Sequence, residues 1–582
     1  MKQWVIVYLS LCLLFIVPQV SACKDIIVCG DASKGDYNLL LKIRDPSRPG
    51  FQVLCIVPEG YSYSYHHPWT GEPVEFTNHH KYIGVASRND TIPSVVKAGM
   101  MISDAGLAFG DADTNSRWVN PSRYAWDDFD WLRYACENSN DTSEAVYCLT
   151  VEVVDRLHAP GVSENLFIIG PSNGYVIEAD AYRYHVKEIK NGVDVLSNYP
   201  RELWGTEWFR TRLISSSFDV EVQKTVETGD IIHLGSLLGV QVLSIDKDSV
   251  TVREYPYLLC FLTYRNQVWE PVTIRVGDRE TVGDFSVTLL NITDDKAILS
   301  VEPVVRAWQN KILEYVNSRY GSITVRDLMN WSRLHEEDLD GLRAMCEHMF
   351  MDEGAAIYRI PSEHYDILGG GWFSPSHPCS SIYVPFHIAD NKVFEPYMSG
   401  EAAELSFKLS LKGNLTGFIE RVEEVFLYEN EFIEDLALRF LSNASQLLTC
   451  FDVNAQRQAW LMEQLLYKLD DPRVIEGMWS RNYSSTLESM RNIIHCLGEE
   501  LLDVQRQIGE IALIICETGV EELRIIGYSS MEAEDEFKSG RSLIEQEFYE
   551  DGLYHLQLSY NLCLQQLNRI LGERNSDSIL PG

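Results

Sequence analysis

One change of rhythm along the chain limits the folds open to it. Up to about residue 415, the apolar residues come mostly in short runs or in alternation with polar ones. From about 416 they recur every three or four residues to the end. Leu461, Leu465 and Leu469 show this, as do Ile493, Leu497, Leu501, Val504, Ile508 and Ile511, and then Leu556, Tyr560, Leu564, Leu567 and Leu571. The first pattern is that of strands, the second that of amphipathic helices packed in a bundle. The expected class is therefore α+β with a C-terminal helical region, 416–582. Within the first part, Val240, Val242, Val250, Val252, Phe285, Val287 and Leu289 alternate with polar residues and predict a small all-β insert at 216–300. It divides the remainder into 23–215 and 301–415. Helical spacing is expected at 121–158 and 306–350, and strands at 166–169, 174–178, 195–198 and 355–386.

At 582 residues the chain is long enough for three to four domains. Lys plus Arg number 49 and Asp plus Glu 85, a net charge of −36. So acidic a surface repels phosphate backbones, and no local basic patch offsets it, which argues against a nucleic-acid partner.

Residues 1–22 have the layout of a secretory signal. Lys2 supplies a positive start, Val5–Val17 an apolar stretch, Pro18 a break, and Val20-Ser21-Ala22 the small residues of a cleavage site. Export is expected, to the medium or another extracytoplasmic space. Cleavage would leave Cys23 as the first residue. Two chemistries then stand open. In one, Val20-Ser21-Ala22-Cys23 is a lipobox, Cys23 carries a lipid, and the chain is a surface-anchored binding protein that meets a membrane only through that anchor. In the other, the thiol lies beside its own α-amine, whose ordinary pKa near 8 lets it take the thiol proton. Twelve cysteines follow residue 22 with no CxxC spacing, so zinc ligation is not expected. Disulfides are compatible with export. With Cys23 reactive, eleven cysteines remain, so at least one further thiol is left over. Sequons start at Asn89, Asn140, Asn291, Asn330, Asn414, Asn443 and Asn482 and fit an exported surface.

Ile26-Ile27-Val28 and Leu39-Leu40-Leu41 flank the turn-rich stretch GDASKGDY and predict, within 23–58, a hairpin of 23–29 with 38–44 followed by a third strand. Pairing 29 with 38 sets Cys23 opposite Arg44 on the same face, where a guanidinium favours thiolate.

Several segments in order then resemble one family. Cys23-x-x-Ile26-Ile27-Val28 is followed by Ala32-Ser33 and Arg44-Asp45. Later come Asp104-Ala105-Gly106-Leu107-Ala108, Asn165 to Ile169, Gly174 to Glu178 and Ser197-Asn198-Tyr199-Pro200. Arg333-Leu334-His335, Met345 to His348 and His377 to Phe386 complete the series. The whole is similar to dipeptidase A-type N-terminal-nucleophile (Ntn) cysteine hydrolases, relatives of penicillin V acylase and choloylglycine hydrolase, over roughly 23–212 and 300–415. The resemblance implies a four-layer αββα sandwich and cleavage of amide bonds, without cofactor or metal. It implies Cys23 as nucleophile, Arg44 against the thiolate, Asp45 as the carboxylate orienting the amine, and Asn198 in the oxyanion hole. Asn165 is a second candidate for the polar shell. Ser103 stands where the family usually has an Asn. Asp45 directly follows Arg44, so a bend at Pro46 is needed to bring it to the same face.

The expectation is an exported peptidase for short peptides. An acylase or acyltransferase on a non-peptide amide is the alternative enzyme. The His66-His67 and His79-His80 pairs read as surface rather than metal sites. Tyr61, Tyr63, Tyr65 and Trp69 fit either a cleft wall or a packed hairpin. His348 and Cys379 read as structural. Oligomeric state is not legible.

Overall fold

The computed structural model describes residues 23–577 except 45–49, 115, 117, 204–220, 235–237, 257–269, 284, 349–352, 414 and 499–500. The proposed signal segment and Asp45 therefore lie outside the described residues. The chain divides into two units, one holding residues 1–47, 64–75 and 109–347, the other 48–63, 76–108 and 348–582. Both are mixed α/β with antiparallel sheets.

The first unit starts with β1 (Lys24–Cys29) and β2 (Tyr37–Arg44). Their turn is fixed locally. Gly30 adopts φ +57°, and a Cβ there would lie 2.4 Å from the Lys190 carbonyl, so only glycine fits. Asn38 Oδ1 accepts the Gly30 N–H at 2.8 Å, and Ser33 Oγ donates to carbonyls across the turn. Every residue of β1 is buried, as in an interior strand covered on both faces. In chain order the next strands are β3 (Gln52–Val57), β4 (Ser62–His66), β5 (Pro73–Thr77), β6 (Tyr82–Ser87), β7 (Ala98–Ser103) and β8 (Leu107–Thr114). Then come β9 (Ser163–Ile169), β10 (Gly174–Ala179), β11 (Tyr184–Ile189) and β12 (Gly192–Ser197). In the first unit the strands run β12-β1-β2 in one sheet and β11-β10-β9-β8 in another. Between β8 and β9, the expected helical stretch is a helix at Asp128–Asn138, a short one at Thr142–Tyr147, and a π-helical segment at Cys148–Arg156.

The insert region holds β13 to β20: Val222–Val226, Ile231–Leu234, Leu238–Ile245, Ser249–Pro256, Val272–Arg275, Arg279–Val282, Phe285–Thr293 and Lys296–Pro303. They form two four-stranded sheets, β13-β20-β19-β18 and β14-β15-β16-β17. One apolar cluster joins them, with Ile232, Val240, Val242, Val250 and Val252 from one sheet and Phe285, Val287, Leu289, Leu299 and Val301 from the other. This is a small sandwich, whose inner faces are the alternating positions read from the sequence.

A helix at Val304–Ser318 follows, then one at Val325–Trp331. The helical stretch expected over 306–350 is broken into two α-helices and ends early. Gly321 takes φ +79°, and Thr324 with Asp327 forms a reciprocal capping box that starts the second helix. Asp340 and Gly341 also take positive φ, and no α-helix continues beyond Trp331 up to residue 348.

In the second unit the strands run β7-β6-β3 in one sheet and β21 (Gly354–Pro361), β22 (Gly370–Ser374) and β23 (Val384–His387) in another. From Thr416 the chain is helical. Long helices cover Thr416–Arg439, Ala444–Lys468, Tyr483–Cys496, Leu502–Ile525, Met531–Glu545 and Tyr549–Asp577. Their apolar stripes are buried, including Leu447, Leu465, Ile508, Ile511, Ile515 and Leu556. Among the described residues no helix is long and apolar enough to cross a membrane.

Candidate active site

The β1–β2 ladder pairs Lys24 with Ile43, Asp25 with Lys42 and Val28 with Leu39. That is the register expected from the turn. On its other side β1 pairs with β12, Lys24 against Ser197 and Asp25 against Leu196. Carried one step further, the two ladders set Cys23 between Arg44 and Asn198 in a single row. Directly opposed residues project to the same face, so the row carries a thiol, a guanidinium and a carboxamide side by side. Lys24, one residue on, faces the other way and pairs with Glu347 at 3.0 Å.

Cys23 is 7% exposed and Arg44 3%. The Arg44 guanidinium lies over the Phe129 ring, 4.8 Å from its centre. Phe129 is delivered by the helix whose first turn is capped by Asp127 through the Asp130 N–H. Asn198 Nδ2 donates to the Asp113 carbonyl at 2.7 Å, and Asn165 Nδ2 donates to the Ser197 carbonyl at 2.7 Å. Asn165 thus holds the backbone that carries Asn198. A carboxamide has two N–H donors, so Asn198 keeps one beyond the bond to Asp113. Ser103 ends β7 in the other unit, its hydroxyl buried without a hydrogen-bond partner among the described residues.

Sequence reading missed two residues of this face. Asp25 and Lys42 are opposed two rows along from Cys23 and Arg44, on the same face, and are fully buried. Lys42 Nζ lies 3.5 Å from Asp25 Oδ2 and 3.3 Å from Asp111 Oδ1. Burial works to lower the Lys42 pKa, but Asp25, the Cys23 thiol and Asp111 together outweigh it and hold the ammonium charged. Burial is also the largest influence on Asp25 and raises its carboxyl well above the usual range, with Lys42 opposing. The signal was in the sequence: the register that selects Arg44 also selects this pair.

Beyond them lies a group of acids, Asp111 and Asp113 on β8, Glu164 on β9 and Asp128 at the helix start. Burial first, then repulsion from Asp113, raises Glu164 and Asp128 well above the ordinary carboxyl range. Asp113 is raised by burial, with the Glu164 hydrogen bond and the charges of Lys42 and Arg44 working against the rise. The acids of this group outnumber the two cations facing them, and burial and mutual repulsion push the pKa values of Asp113, Asp128 and Glu164 upward.

The histidine pairs and the tyrosine run are occupied structurally. His67 Nδ1 accepts the Trp69 N–H at 3.3 Å, and His80 Nδ1 meets Asp104 at 2.8 Å. Tyr63 stacks on Phe76 across β4 and β5, and Trp69 Nε1 donates to the Leu157 carbonyl at 2.7 Å. This is the packed-hairpin alternative. His348 Nε2 meets Cys379 Sγ at 3.0 Å in the second unit. The same unit groups His387, Asp390 and Asp452 within 4.8 Å, a set able to hold a cation, although Asp452 and Glu434 already grip the imidazole at 2.7 and 3.1 Å. Cys29, Cys55, Cys148, Cys516 and Cys563 are free thiols.

No family model and no curated protein matches this chain. Among solved structures, it is similar to penicillin V acylase from Agrobacterium tumefaciens, with 14% identity and a TM-score of 0.23 over 29% of this chain and 50% of the other. It is likewise similar to a mutant of conjugated bile acid hydrolase from Clostridium perfringens, with 12% identity and a TM-score of 0.23 over 30% and 52%. The chain thus spans about half the length of these two.

Proposed function

We propose that this chain is an exported amidohydrolase of the Ntn class, with Cys23 as nucleophile and short peptides as substrates. The observation that carries this reading is the row Asn198–Cys23–Arg44, continued from the two ladders of β1. An acidic nucleophile, a cation that stabilises its anion and a carboxamide donor are the parts that acyl transfer needs. In the αββα reading, the β12-β1-β2 sheet is an inner layer and the row lies at its edge.

The chemistry follows from the row. With Cys23 as the mature first residue, its α-amine takes the thiol proton. The sulfur attacks the substrate carbonyl, and Arg44 balances the thiolate. The free N–H of Asn198 stabilises the oxyanion, while Asn165 holds its backbone in place. The amine returns the proton to the leaving nitrogen, and water hydrolyses the thioester. Asp45 is assigned the role of orienting the amine. Ser103 is given no step.

A dipeptide panel run beside an N-acyl amino acid panel, acid-quenched within seconds and read by peptide mass spectrometry, tests the reading. The expected result is an acyl adduct on the Cys23 peptide with dipeptides. An adduct only with N-acyl amino acids moves the assignment to an acylase. Turnover with no adduct, and with the acyl group on another residue, contradicts it.

A further inference from the structure

The second unit carries a buried polar cluster that the Cys23 chemistry does not use. His387 ends β23, and the turn after it brings Asp390 back onto it. The Asp390 N–H donates to the His387 carbonyl at 2.9 Å, and Asp390 Oδ2 accepts the His387 N–H at 2.9 Å. Lys81 Nζ donates to the Ile388 carbonyl at 2.6 Å and also to that of Asp390, which pins the turn. The helix Ala444–Lys468 grips the same segment with one face. On it Ser445, Thr449, Asp452 and Gln456 follow at spacings of four, three and four. Ser445 Oγ donates to the Ala389 carbonyl at 2.6 Å, and Thr449 Oγ1 accepts the Asn391 N–H at 3.1 Å. Gln456 Nε2 donates to the Pro385 carbonyl at 3.1 Å. The remaining member of that face, Asp452, reaches His387 Nδ1 at 2.7 Å.

One ligand atom from each of His387, Asp390 and Asp452 thus falls within 4.8 Å of the other two, and all three side chains are buried. Asp390 Oδ1 and Asp452 Oδ1 are buried with no hydrogen-bond partner among the described residues. Anionic oxygens left bare in an interior are costly unless a counter-charge meets them. Burial, and then the charge of Asp452, raise the Asp390 carboxyl well above its ordinary range, the mark of an anion short of such a charge. On the far side of the ring His387 Nε2 meets Glu434 Oε1 at 3.1 Å, and Glu434 is paired with Arg359. A carboxylate on the far nitrogen is the arrangement that orients an imidazole for a metal and leaves the near nitrogen to the ion.

We propose that His387 Nδ1, Asp390 and Asp452 bind one divalent cation of the Mn²⁺ kind, which ties β23 to the helix Ala444–Lys468. Two carboxylates with one imidazole, and no sulfur among the three, suit such an ion. Charge balances around it. The ion's two charges meet Asp390 and Asp452, while Glu434 is met by Arg359. Binding displaces the Nδ1 proton to solvent, and Nε2 keeps its own against Glu434.

The test is Mn²⁺ binding to the full-length protein, stripped with EDTA, with the free ion read by electron paramagnetic resonance. One ion per chain is expected, with nitrogen hyperfine coupling from an imidazole in the pulsed spectrum. Asp452→Asn and Asp390→Asn should each weaken binding by about tenfold or more, and Glu434→Gln by about tenfold. Saturating Mn²⁺ should raise the melting temperature of the wild type by about 3 °C and leave that of Asp452→Asn unmoved. Loose binding of many ions, equal in wild type and variants, shows surface acids only and overturns the proposal. One bound ion with no nitrogen coupling overturns it too. If neither Asp variant folds, Glu434→Gln decides. An affinity about tenfold lower with the nitrogen coupling retained supports the site, and an unchanged affinity refutes it. Binding is read without substrate and with Cys23 untouched, so its outcome is separate from that of the proposed function.

Discussion

Replacing Cys23 by Ala should reduce amide hydrolysis to background, a loss of about 10⁴-fold or more, with the fold intact. The reasoning is local. Cys23 precedes β1 and is held by the ladders on either side of that strand, whose pairs begin at Lys24. Removing one sulfur opens a cavity of about one atom, which a protein of this size tolerates. Arg44 and Asn198 keep their anchors, on Phe129 and on the Asp113 carbonyl, so binding survives while the bond-forming atom is gone. Cys23→Ser keeps an oxygen in place, but a hydroxyl ionises far less readily than a thiol. Its activity should be close to that of the alanine variant. Circular dichroism and a thermal melt establish that both variants are folded. Undiminished turnover in Cys23→Ala would refute the mechanism.

The second large effect is on stability. In the second unit, burial raises Glu429 and Glu463 from 4.5 to about 7 and Glu522 to about 8. A carboxyl raised in the folded state favours folding while it is protonated. That contribution is complete below pH 4.5 and is lost as pH rises through 7 to 8. At the acid end Glu434 works the other way. Burial opposes its ionisation, but Arg359 and His387 outweigh burial and lower it to about 2, so its contribution holds until pH falls to that range. The helical region should therefore be more stable at pH 5 than at pH 8. Differential scanning fluorimetry should show a melting temperature higher by about 5 °C or more at pH 5. Glu522→Gln should flatten the slope, raising the melt at pH 8 more than at pH 5. A melt that rises from pH 5 to pH 8 would show that these glutamates are already ionised in the fold.

The sequence carried the hairpin because its cues are local. A turn-rich stretch between two apolar runs allows few registers, and the one that sets 29 against 38 is the one in the structure. Lys42 and Asp25 were readable from that same register, but attention to the Cys23 row alone passed over them. The pairing of β1 with β12 was not readable, because nothing in either strand names a partner so distant along the chain. Asn198 could be reached only through the family resemblance, and the ladder then set it in the Cys23 row. The third strand expected before residue 58 is β3, but β6 to β8 were missed, where the strands are separated by polar turns such as Asn78-His79-His80 and Arg88-Asn89-Asp90. The break after Ser318 did have a signal, Gly321 followed by Thr324-x-x-Asp327, outweighed in the reading by the apolar spacing on either side. In the β-insert region the alternation of Val240, Val242, Val250 and Val252 sufficed, since a small sandwich has only one inner face per strand.

All of the proposed chemistry requires a bare cysteine at the head of the exported chain. Intact and N-terminal peptide mass spectrometry of the protein from its native host, with thiol labelling, measures this directly. The account predicts a peptide that begins at Cys23, with an unmodified amine and one alkylatable thiol. A peptide that begins elsewhere, or a diacylglyceryl adduct on Cys23, would contradict it.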